Sequence, residues 1–138
     1  MTINYWTVLI CAVLAMVIGA IWYGPLFGKK WMEIVNIKPT DLAAREKMQT
    51  GVWKLYFVQF LLTLFQVYVL AFYIAGWKDA SGLENSLWIW AAFVMPIIAG
   101  TAMWNNDSAK ISWARFLIQG GYQLILFVLF GLVLGYWQ

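Results

Sequence analysis

Charged positions are confined to short clusters along the chain, and between them lie long stretches in which most residues are apolar. Residues 1–28, 55–77, 85–106 and 116–138 contain no Asp, Glu, Lys or Arg. A helix needs about 20 residues to cross a bilayer, and each stretch is that long or longer. The pattern predicts an all-α, four-helix transmembrane bundle forming one domain over residues 1–138. Its spans lie near residues 4–23, 54–76, 86–105 and 115–136. A soluble bundle is excluded, because four helices without a polar face would have nothing to present to water.

Tryptophans bracket the same spans: Trp6 and Trp22, Trp53 and Trp77, Trp88 and Trp104, Trp113 and Trp137. Trp6 and Trp22 are about 24 Å apart along a helix, close to the thickness of the hydrocarbon layer. Amphipathic rings settle at headgroup level, so these pairs read as two aromatic belts. Pro96, inside the third span, deprives the carbonyl of Ala92 of its helical partner and predicts a kink there.

The one sizeable polar stretch is residues 24–54. Gly24-Pro25 is expected to end the first helix. Beyond it, Phe27, Trp31, Ile34 and Val35 share one helical face, which suits either a helix in the membrane interface or a cap over the bundle. Pro39-Thr40-Asp41 reads as a helix start, and Asp41 and Arg45 as an i, i+4 pair. That helix is expected to run toward the second span, with Gly51 as a break.

Charge sets the expected orientation. Lys29, Lys30, Lys38, Arg45, Lys47 and Lys54 lie between the first two spans, and Lys110 and Arg115 between the last two. The opposite side holds only Lys78. The positive-inside rule places both loops in the cytoplasm and both termini outside the cell (inner) membrane. Nothing before the first span resembles a basic n-region, and Trp22-Tyr23-Gly24-Pro25 is no small-residue cleavage site, so the first span is expected to stay attached. The net charge of +3 points to anionic lipid as partner, and the lack of a dense basic run argues against nucleic acid.

Composition narrows the chemistry. With 64% of residues hydrophobic, 11% charged and a mean hydropathy of +0.75, the chain is neither an ordinary soluble domain nor disordered. Histidine is absent and Cys11 is the single cysteine, which removes the commonest metal ligands, general bases and activated nucleophiles. No catalytic residue, metal site or cofactor is expected, and an enzyme ranks last among the functions considered. A proton-coupled pump normally needs an ionisable group at membrane depth, and the spans contain none.

Neutral polar residues stand out instead. Counted from the loop end, Gln59 and Gln119 lie at about one depth, Thr63 and Gln123 at another, with Thr101 close by. Asn105 and Tyr122 complete the set, and Lys54 and Arg115 form an expected basic rim. Two accounts fit: hydrogen bonding between helices, or a polar vestibule that binds a lipid headgroup. Small residues form further surfaces for close packing. Cys11, Ala15 and Gly19 lie on the first span, with Gly120, Gly131 and Gly135 on the fourth. They serve either contacts within one bundle or a homo-oligomer.

The segment Gly19-Ala20-Ile21-Trp22-Tyr23-Gly24-Pro25-Leu26-Phe27-Gly28-Lys29-Lys30-Trp31 resembles a membrane family catalogued as domain of unknown function 1761. The motif residues are Trp22, Tyr23, Pro25, Gly28, Lys29 and Trp31. Phe116 to Trp137 resembles that family's closing segment, although members tend to carry a histidine where this chain has Gln123. The resemblance implies a four-span bacterial membrane protein and no particular reaction. The expected function is therefore binding of a lipid or of a membrane partner. Facilitated passage of a small neutral solute is the alternative.

Overall fold

The computed structural model describes residues 2–36, 40 and 42–137, without the side chains of Arg45, Met48 and Gln49. Pro39 and Asp41 of the expected helix start, and with them the Asp41–Arg45 pair, fall outside these; Thr40 is described, and its carbonyl accepts from Leu42 N–H at 3.1 Å. Helix α1 spans Tyr5–Ile21, α2 Gly28–Ile34, α3 Leu42–Gln49 and α4 Val52–Gly76. They are followed by α5 Gly82–Ile89, α6 Met95–Met103 and α7 Ala109–Trp137. No strand occurs among the described residues. Four segments are long and apolar enough to cross a membrane: Tyr5–Leu26, Val52–Gly76, Gly82–Met103 and Ala109–Trp137.

Polar caps set the helix ends. Asn4 accepts from the backbone N–H groups of Trp6 and Thr7 at 3.1 and 3.4 Å, which satisfies two orphan donors of α1. Ser81 accepts from Glu84 N–H at 3.1 Å, so the third span begins four residues before the sequence expectation. Ser108 caps α7 in the same way, at 3.4 Å from Ile111 N–H. Gly51, at φ 72°, separates α3 from α4 as expected, in a left-handed conformation that costs glycine little.

Two spans depart from regular α geometry. The first does not stop at Gly24-Pro25, as proline rules suggested; it continues as a π turn over Trp22–Leu26 with Pro25 inside. The wider turn lets Phe27 N–H reach the Trp22 carbonyl at 3.0 Å, five residues back, which restores a bond beside the missing proline donor. In the third span a second π turn, Trp90–Val94, joins α5 to α6 directly before Pro96. That π turn contains Ala92, whose carbonyl Pro96 cannot serve.

α7 is the central element, packing against α1, α5 and α6, while α4 lies mainly on α1. The half nearest the termini is closed. Cys11 and Ala15 of α1, Val67, Leu70 and Ala71 of α4, and Leu126, Phe127, Phe130 and Leu134 of α7 form its core. Beside it α5 and α7 meet backbone to backbone. A Cβ on Gly82 would lie 2.5 Å from the Gly131 carbonyl oxygen, and Ser86 Oγ donates to the Phe127 carbonyl at 2.7 Å. Gly131 and Gly135 of the fourth span are therefore used inside the chain, whereas a Cβ on Gly120 would meet only Phe116 of its own helix.

At the other end α2 folds over α7, with Ile34 buried, so the apolar face of Phe27, Trp31 and Ile34 acts as a cap. Trp6, Trp53, Trp77, Trp88, Trp104, Trp113 and Trp137 are exposed, consistent with belts. Trp22 is different. It turns inward and donates its indole N–H to the Ile118 carbonyl at 2.9 Å.

Candidate functional site

On the loop-side half the helices part. Among the described residues α4 and α6 do not pack closely against each other, and the space between them is lined by residues of the first and fourth spans as well. Three adjoining cavities of about 460, 380 and 270 Å³ occupy it, and Gln123 of α7 borders all three. The first lies between α1, α4 and α7 and is lined by Gly19, Tyr23, Tyr56, Gln59 and Tyr122, among others. The second runs between α4 and the third span, along Gln59, Leu62, Gln66, Phe93 and Ile97. Tyr23, Thr101 and Gln119 line the third.

The residues singled out from the sequence divide into two groups. Gln59, Thr101, Gln119, Tyr122 and Gln123 converge on these cavities. Thr63 lines none of them. Its hydroxyl donates to the Gln59 carbonyl at 2.8 Å and accepts from Gln59 Nε2 at 3.2 Å, so this pair is local to α4. Asn105 is exposed beyond the end of α6.

Lys54 and Arg115 line none of the three cavities either. The Lys54 ammonium lies 5.7 Å from the Trp53 ring centroid. The Arg115 guanidinium, 14% exposed, bonds Asp107 at 3.1 Å and the Ile34 carbonyl at 3.5 Å. The expected basic rim is therefore absent from the cleft, because Arg115 is engaged in holding α2 and the 104–108 turn against α7. Tyr56 and Gln66 were absent from the predicted site. Their signal was present, since residues 56, 59, 63 and 66 recur at helical spacing on one face of α4.

The hydrogen-bonding capacity of the site is uneven. Tyr122 Oη donates to the Ala15 carbonyl at 2.8 Å, and Thr101 Oγ1 donates to the Ile97 carbonyl at 3.0 Å. Both hydroxyls have committed their proton and keep only acceptor lone pairs. Gln123 Oε1 is buried and has no partner. A buried acceptor without a donor costs about 1–3 kcal/mol, so a ligand donor would be rewarded if the Gln123 amide turns toward the adjoining cavities. Among the described residues, no carboxylate, amine, guanidinium or thiol lines any of the three cavities.

The Trp-Tyr motif builds one wall. Tyr23 packs between Trp31 and Tyr122, at ring-centroid distances of 5.0 and 5.4 Å, and Trp22 lies 4.7 Å from Phe27. A Cβ on Gly28 would lie 3.0 Å from the Tyr23 carbonyl oxygen, and one on Gly121 3.3 Å from the Trp22 ring. Pro25 sits in the π turn, and Lys29 is exposed. The motif is a clasp that seats the end of the first span against the fourth and aims Tyr23 into the cavities.

Four apolar spans around a neutral polar cleft define a helical multi-pass membrane protein. Over residues 6–135 the chain matches the family model described as "Protein of unknown function (DUF1761)", and it belongs to that family. The comparisons with curated proteins and with solved structures returned no match.

Proposed function

We propose that this protein is a binding module for a membrane amphiphile, with the ligand's head in the cleft around Gln123 and its chains leaving between α4 and α6. The observation that carries the proposal is Gln123, which borders three cavities and whose amide oxygen is buried beside them without a partner. Leu62, Phe93 and Ile97 at the opening are exposed, as side chains that contact lipid are. Facilitated passage of a solute has less support, because the core around Cys11, Val67 and Phe130 fills the path toward the termini.

Gln123→Met keeps the side-chain volume and removes both amide functions. Lipid retained through purification, measured by mass spectrometry, should fall about tenfold in this variant, the value of one well-placed hydrogen bond. Equal retention in wild type and variant, with equal melting temperatures, would reduce the cleft to a packing defect.

The proposal also includes the orientation read from charge: cell membrane, both loops cytoplasmic and both termini outside. In a Cys11→Ala background, Asp79→Cys should react with an impermeant maleimide on intact cells, and Thr50→Cys only after lysis. Both positions are exposed. The reverse pattern would invert the assignment and put the cleft in the outer leaflet.

A further inference from the structure

The cleft also narrows the chemistry of its occupant. We infer, building on the binding proposal above, that the head it takes is uncharged and carries hydroxyl groups, as in a diacylglycerol or a glycosylated diacylglycerol.

Charge comes first. Gln123 lies eight residues beyond Arg115, roughly 12 Å further along α7 and away from the loop end. Any head that reaches it leaves bulk water, and an ion there needs a countercharge to offset its lost hydration. Among the described residues the cavity walls supply none, Arg115 is held by Asp107, and Lys54 faces Trp53 outside the cleft. Phosphate, carboxylate and ammonium heads are all disfavoured at this depth.

Hydrogen bonding is the second constraint. Gln123 Oε1 needs a donor, and the Tyr122 and Thr101 oxygens offer lone pairs because their protons are committed to Ala15 and Ile97. A phosphodiester or a choline group has no O–H or N–H to give. The amide nitrogens of the glutamines are donors, so the fitting partner must donate and accept side by side, which is what a hydroxyl does. Tyr23, Tyr56 and Tyr122 add flat ring surface for the C–H faces of a glycerol or a sugar.

The test uses the full chain in nanodiscs of phosphatidylcholine, each doped with one probe, followed by native mass spectrometry. The probes are dioleoylglycerol, a monoglycosyl dioleoylglycerol, phosphatidylglycerol and phosphatidylethanolamine. Wild type should retain one or both neutral hydroxyl lipids, with Gln123→Met lowering retention about tenfold and Gln59→Leu about threefold. Gln59 is exposed, so the second variant does not depend on an altered core. Retention of phosphatidylglycerol or phosphatidylethanolamine that depends on these glutamines would overturn the neutral-head inference and leave the binding proposal standing. No glutamine dependence for any probe would overturn both.

Discussion

The doubly substituted protein Gly131→Leu, Gly135→Leu is expected to lose most of its stability in detergent. Its melting temperature should fall by roughly 10 °C or more, or monodisperse protein should not be recovered. A Cβ on Gly131 would overlap Ser86 Oγ and lie 2.8 Å from the Gly82 carbonyl oxygen. The serine can turn, but the Gly82 backbone cannot move without parting α5 from α7. Overpacking a filled core costs about 1–3 kcal/mol, and here helix separation would also break the Ser86–Phe127 bond. Leucine at Gly100, where a new Cβ meets nothing within 4 Å, should leave the melting temperature within a few degrees. Size-exclusion chromatography and a thermal melt of wild type and both variants decide the matter. Equal stability of the double variant would mean that α5 and α7 are not in backbone contact.

Phe130→Ala is expected to cost about 3 kcal/mol, and Phe65→Ala close to nothing. Phe130 is 0% exposed in the core, whereas Phe65 is 69% exposed on the lipid-facing side of α4. In a soluble protein a buried Phe→Ala change costs about 3–5 kcal/mol, made of a transfer term and a cavity term. In a bilayer the transfer term shrinks, because lipid is as apolar as the core. The cavity term remains for Phe130, while lipid chains fill the space left by Phe65. Reversible unfolding in mixed micelles measures both, and equal losses would contradict the core assignment.

The four spans were legible because a chain with no charge over about 20 residues, repeated four times, has no polar face to turn toward water. Their ends were less so. α7 starts six residues before the expected boundary, since a helix can continue past the hydrocarbon wherever a serine caps it, and depth says nothing about that. Counting residues from the loop end grouped Gln59, Thr101, Gln119 and Gln123, which line the cleft, together with Thr63 and Asn105, which do not. Pairings that depend on loop conformation were not legible. Asp107 reaches Arg115 across a turn in which Asn106 adopts φ 57°, and no periodicity encodes that geometry. Trp22 escaped for a similar reason: its spacing from Trp6 fits a belt, but the π turn points it at Ile118.

The π turn at Trp90–Val94 also governs the angular phase of everything after it. Such a turn acts as one extra residue accommodated without breaking the helix, and each residue of an α-helix advances about 100° around the axis. α6 is therefore rotated by about that much relative to a straight continuation of α5. Small residues of α5 face α7 at Gly82 and Ser86, and further along the span Ile97, Ile98 and Thr101 face the cleft. A single span thus shows one stripe to its neighbour for sealing and a different stripe to the cavity. The surplus residue in that turn is what allows the same helix to close the bundle at one end and open it at the other.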